Sequence, residues 1–150
     1  MKKTIVVILF AILIGCLGAF YFFKKDDAFI KSVSGEMDNY TFFQIGVFTN
    51  IDNANALAEK NNGIVIKDKE YYRVIISILY SPSSIIKMKN YLDNNKINYY
   101  LKEYGVVDKE FINELNTYES IIIETNEESA FLEANNKILD KYVSEGLNVN

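Results

Sequence analysis

Gly63–Leu79 reads GIVIKDKEYYRVIISIL, and this stretch decides the architecture. Gly63–Asp68 and Tyr71–Leu79 are β-branched and aromatic runs of strand length, and the Lys69-Glu70 pair between them has room only for a tight turn. Upstream, YTFFQIGVF (Tyr40–Phe48) is a third strand of the same character. The intervening TNIDNANALAEKNN offers cap oxygens at Thr49, Asn50 and Asp52, with Ala54, Leu57 and Ala58 at helical spacing. Downstream, Ser81-Pro82 opens a helix, because proline at the first turn gives up an N–H that has no partner there. Ile85, Met88 and Leu92 form its apolar stripe, Asn94-Asn95 ends it, and Ile97–Tyr104 (INYYLKEY) reads as the last strand. The order over residues 40–104 is β-α-β-β-α-β. This is an α+β, split βαβ arrangement: a four-stranded antiparallel sheet with both helices on one face and the other face open.

Strand side chains alternate between faces, so the pattern says what the open face carries. Val74, Ile76 and Ile78 are expected toward the helices, with Tyr71, Arg73, Ile75 and Ser77 pointing away. In the last strand Tyr99 and Leu101 take the core side, leaving Tyr100, Lys102 and Tyr104 outside. In the first, Phe43 and Ile45 read as buried and Tyr40, Phe42 and Gln44 as open. Aromatic rings interspersed with hydrogen-bonding groups make a platform for flat, partly apolar ligands, sugar rings and nucleobases alike.

Composition narrows the chemistry. The chain has 150 residues, no His, one Cys and a net charge of −4. Without imidazole there is no Ser–His–Asp or Cys–His machinery, and most zinc sites are excluded. Asp68 and Glu70 flank one turn, a place where acids collect for local hydrogen bonding, and no second carboxylate pair stands opposite. The reading is of a non-enzyme: no catalytic residue, cofactor or metal ligand is assigned.

The flanks differ from the sheet region. Met1-Lys2-Lys3 precedes Thr4–Phe23, TIVVILFAILIGCLGAFYFF, which has no charged residue and, as a helix, would rise about 30 Å, the thickness of a bilayer core. Residues 1–3 read as a cytoplasmic tail, 4–23 as a transmembrane helix contacting the lipid bilayer, and 24–39 as a polar linker. The chain is thus expected at the cell membrane as a single-pass protein with its C-terminal part extracytoplasmic. Leu13-Ile14-Gly15-Cys16 also resembles a lipobox, which would make Cys16 a lipidated residue. Residues 105–150 form an acidic helical extension, with Phe111, Leu115, Tyr118 and Ile122 striping Asp108–Glu124, and Phe131, Ile138 and Tyr142 striping Glu127–Glu145. This extension holds three Lys/Arg against ten Asp/Glu, whereas residues 40–104 hold eight against six. Three readings stand for the pair at 108–145: a plain solvated helical face, docking back on the sheet, or engaging a basic protein partner.

Phe43-Gln44-Ile45-Gly46-Val47-Phe48-Thr49-Asn50, followed by Asn53-Ala54 and Leu57-Ala58, resembles the opening of SPOR domains, and Tyr71-Tyr72-Arg73-Val74 resembles that family's third strand. The resemblance covers residues 40–104 and implies non-catalytic binding of peptidoglycan glycan strands stripped of stem peptides, in bacterial division or sporulation. Carried over by position, Gln44 would hydrogen-bond sugar groups, Tyr71 would stack, and Arg73 would be the polar partner, with Phe42, Tyr100 and Lys102 completing the glycan-binding face. Val47 stands where the family has Ser, and Ser77-Ile78 where it has Gly-Pro. RNA-recognition domains share the strand order, but their Lys/Arg-Gly-Phe third-strand motif is missing from YYRVIISIL and the chain is acidic, so no nucleic-acid partner is expected. A third reading is a membrane-tethered scaffold whose acidic helices bind a protein, with the sheet only structural.

Overall fold

The computed structural model describes residues 38–147. Its elements follow the order β1 (Asp38–Phe48), α1 (Ile51–Lys60), β2 (Ile64–Asp68), β3 (Tyr71–Leu79), α2 (Pro82–Asn94), β4 (Tyr100–Val106), α3 (Lys109–Glu124) and α4 (Glu128–Ser144). All strand pairs are antiparallel, in the order β2-β3-β1-β4. Each βαβ crossover therefore straddles one strand, which is the ferredoxin-like split βαβ topology. The last strand lies slightly later than expected, at Tyr100–Val106, and β1 takes in Asp38 and Asn39, which had read as linker.

The spanning helix read at residues 4–23 lies outside the described residues. Among the described residues, no helix is long and apolar enough to cross a membrane. The structure therefore does not support the expected transmembrane helix, the lipid-bilayer contact, the single-pass localisation or the membrane-anchored peptidoglycan-binding and tethered-scaffold functions built on them. Residues 1–3, Cys16 and most of the 24–39 linker also lie outside the described residues.

Local chemistry accounts for the helix starts. The Asn50 side chain accepts from the backbone N–H groups of Asp52 and Asn53 at 2.7 and 3.2 Å, and Asp108 accepts from Phe111 N–H at 2.7 Å. Ser81, the expected cap of α2, makes no side-chain cap bond. Glu119 of α3 does the work instead: its carboxylate accepts from Tyr80 N–H at 2.7 Å, Ser81 N–H at 3.0 Å and Ser84 Oγ at 2.5 Å. A carboxylate that is only 3% exposed is tolerable there because it faces the positive end of a helix with three donors aimed at it. In return, Lys87 of α2 donates to the Thr125 carbonyl at the end of α3. The two helices thus cap each other.

The alternation fails at one place. Phe43 pairs with Ser77, Gln44 with Ile75, and Gly46 with Val74, so Ile76 and Ile45 are each an extra residue in the β1–β3 ladder. Directly opposed residues share a face, so beyond this double bulge the parity of β3 reverses. Ser77 goes to the face of Phe43 and the two crossover helices, and Ile78 goes to the face of Phe42. Both are the opposite of the expectation.

The helices α3 and α4 pack on the core. Phe111 and Tyr142 stand edge-on to each other at 5.5 Å, Tyr142 meets Phe42 at 5.6 Å, and Phe111 meets Tyr40 at 6.5 Å. Of the expected α3 stripe, Phe111, Leu115 and Ile122 are buried, while Glu119 is buried where Tyr118 is not. Lys141 of α4 gathers Glu110, Glu114 and Glu145 at 2.8, 3.1 and 2.9 Å. Part of the extension's acidity is thus neutralised internally, and its apolar stripes are spent on the sheet. The partner reading of 108–145 gives way to docking back.

Candidate functional site

The open half of the sheet begins where the α3–α4 hairpin stops. Its organising group is Arg73, half-buried on β3 opposite Ile66 and Val47. Its Nε donates to Asp68 Oδ2 at 2.6 Å and its Nη1 to Gln44 Oε1 at 2.9 Å. The hairpin register explains the first bond. Asp68 pairs with Tyr71, so its carboxylate shares a face with Tyr71 and Arg73. Gln44 pairs with both Ile75 and Tyr100, which brings its amide diagonally beside Arg73. The guanidinium is therefore held in one orientation by a carboxylate and an amide, with remaining N–H groups still to use.

The six residues singled out from sequence divide. Tyr71 and Tyr100 are exposed, at 40% and 69%, and Lys102 is exposed on the same face. Arg73 lies among them. Phe42 and Gln44 were expected to be open and are corrected: Phe42 is fully buried beneath Tyr142, with Tyr104 edge-on at 5.0 Å, and Gln44 is 4% exposed. Tyr40 is buried as well. The cause is the helical extension, whose aromatic residues close over the β1 end of the expected platform. What remains is a strip running from Tyr71 through Arg73 and Gln44 to Tyr100 and Lys102. Among the described residues no grouping of His, Cys, Asp or Glu is arranged to hold a metal ion.

A second feature escaped sequence reasoning. On the crossover-helix side, α4 lies against β3 and reaches α2, where Phe131 meets Tyr91 at 5.4 Å. Between these elements and the end of α1 is a cavity of about 170 Å³, walled in part by Ile76, Met88, Tyr91, Leu132 and Asn135. Asn135 is 3% exposed and donates from Nδ2 to the Ile76 carbonyl at 2.8 Å. The signal was present in the sequence: Asn135 lies four residues after Phe131 and three before Ile138, inside the apolar stripe.

Set beside known proteins, the chain matches no family model, no curated protein and no solved structure. The fold and the strip define a split βαβ domain extended by a helical hairpin that covers part of its sheet.

Proposed function

We propose that residues 38–147 are a non-catalytic recognition domain, kin to SPOR domains in residues 40–104, that reads its ligand with the uncovered half of its sheet. The observation that carries this is the placement of Arg73 between two exposed tyrosines on one face, with its guanidinium pre-oriented by Asp68 and Gln44. A pre-oriented donor loses little freedom on binding, and exposed rings supply contact area at low entropy cost. The ligand class that fits is a neutral chain of ring units, each with an apolar face for Tyr71 or Tyr100 and a polar rim for Arg73 and Lys102. The strand order and the residues quoted for the resemblance support the kinship.

The test is a calorimetric titration of the full chain with tetra-N-acetylchitotetraose as the neutral ring-chain probe and an oligothymidylate as the anionic one. Stacking contacts of this kind contribute about 0.5–1.5 kcal/mol each, so Tyr71→Ala and Tyr100→Ala should each weaken binding of the neutral probe roughly three- to tenfold. Unchanged affinity in the double variant, or preference for the anionic probe, would refute the assignment.

A further inference from the structure

Arg73 is the only arginine among 16 basic residues, and its place in the strip sets which ligand groups it can take. An arginine recognises a carboxylate or phosphate through two parallel N–H bonds, a fork that lysine lacks. The guanidinium offers such a pair on two edges, Nε with Nη2 and Nη1 with Nη2. Asp68 Oδ2 stands on Nε at 2.6 Å and Gln44 Oε1 on Nη1 at 2.9 Å. One nitrogen of each fork is therefore engaged by the protein. No group among the described residues bonds Nη2. Among those residues the buried side-chain polar atoms without a partner are Ser77 Oγ and Asn135 Oδ1, so Nη2, which is neither, reaches solvent.

Nη2 can donate to one acceptor oxygen, a hydroxyl, an ether or an amide carbonyl, without disturbing either partner. A carboxylate or phosphate must displace Asp68 or Gln44 to bind with two oxygens, and on the first edge it also meets the Asp68 charge. The Asp68 and Arg73 side chains are mostly shielded, at 24% and 20% exposure, so the pair is screened less than one in open solvent. We propose that Asp68 is the specificity-determining residue of the strip: by holding Nε it restricts Arg73 to single oxygens of uncharged ligands and keeps carboxylates and phosphates out. This rests on the strip being the recognition surface and adds what that surface rejects. The β2–β3 register puts Asp68 there, since it pairs with Tyr71, two residues before Arg73 on the same face.

The experiment uses the full chain labelled with ¹⁵N, in which a single arginine gives an unambiguous Nε–H signal. Inorganic phosphate is the anionic probe and tetra-N-acetylchitotetraose the neutral one, each titrated into the parent, Asp68→Ala and Asp68→Asn. Ala vacates Nε, whereas Asn keeps an oxygen that still accepts from it. Phosphate should barely move the Arg73 signal of the parent and should bind Asp68→Ala about tenfold or more tightly, through two charge-assisted bonds. Asp68→Asn should gain no more than about threefold, the effect of charge alone. The tetrasaccharide should bind Asp68→Ala about threefold less well than the parent, because the guanidinium is no longer pre-oriented. The two probes then move in opposite directions, which a merely loosened hairpin would not produce. Tetrasaccharide binding by the parent with no phosphate gain in Asp68→Ala, or with an equal gain in Asp68→Asn, would overturn this inference and leave the reading of the strip standing. Failure of the parent to bind the tetrasaccharide would remove both. Phosphate binding at Arg73 of the parent as tight as its tetrasaccharide binding would overturn the inference with no variant needed.

Discussion

Replacing Glu119 by Ala removes the acceptor of three donors at the start of α2. Hydrogen bonds to a charged group contribute about 1.5–3 kcal/mol each, but Tyr80 is exposed and its N–H regains water, so the full sum is not lost. Ser84 is fully buried and its hydroxyl has only the Ser81 carbonyl, at 2.8 Å, to fall back on. The expected cost is about 2–4 kcal/mol, the loss of hydrogen bonds to a charged group and of a helix cap less what water restores. Glu119→Gln keeps an oxygen at the Oε1 position, where the bonds at 2.5, 2.7 and 3.0 Å are made. It loses the charge facing the helix end and sets an NH₂ toward Ser81 N–H, which Oε2 meets at 3.2 Å. That should cost about 1–2 kcal/mol. Urea unfolding followed by far-ultraviolet dichroism measures both, with exposed Glu124→Ala as a control expected within about 0.5 kcal/mol of the parent. Accelerated amide exchange should concentrate in the first turn of α2. If the Ala and Gln variants were equally stable, or Ala cost under about 1 kcal/mol, the carboxylate would not be capping α2 as argued.

Four further outcomes follow from the packing. Burial first, and the neighbouring Tyr104 second, push the Tyr142 phenol up to about 12; the unfolded chain ionises first, near 10, so stability should fall as pH rises from 10 toward 12, and Tyr142→Phe should flatten that fall in alkaline melts. Hydrogen bonds donated by Lys141 to Glu110 first, then to Glu145 and Glu114, hold its ammonium above its ordinary range. Its contribution is therefore complete below about 10.5 and lost only at higher pH, and Lys141→Met should leave three repelling carboxylates whose destabilisation shrinks with added salt in thermal melts. A Cβ on Gly63 would sit 2.8 Å from the Ile75 carbonyl oxygen, whereas one on Gly46 would meet movable Phe48 and Leu57 side chains at 2.7 and 2.8 Å; Gly63→Ala should be the worse of the two by urea midpoint, costing about 1–3 kcal/mol. Phe42→Ala should cost about 3–5 kcal/mol in the same assay, the response of a core ring and not of a surface binding residue.

The strand and helix order was legible because each element carries its own period and its own stops. Tyr71–Leu79 matches β3 to the residue, and Asp108 caps α3 as its position before an apolar stripe implies. Faces were legible only as far as the period held. One extra residue on each of two strands, Ile45 and Ile76, exchanged Ser77 and Ile78 between faces, and nothing in a run of β-branched residues marks where such an insertion falls. The site suffered from a second gap. Amphipathic stripes on α3 and α4 say that those helices must bury a face but not which surface receives it, so Phe42 and Gln44 were read as open when Phe111 and Tyr142 close that end of the sheet. Glu119 and Asn135, polar residues inside apolar stripes, were the clues to where the hairpin docks, since each needs a specific partner to be buried.

The upper part of β3 has an unusual neighbour. β2 pairs with β3 only from Tyr71 to Ile75, and just past that point the Ile76 carbonyl is taken by the Asn135 amide instead of a fifth strand. A bare sheet margin is a template on which a second chain can add, and α4 occupies it with a side chain that mimics one rung of a ladder. Trimming the polypeptide to residues 40–104 would therefore strip a guard against polymerisation as well as part of the core, leaving a fragment prone to self-association.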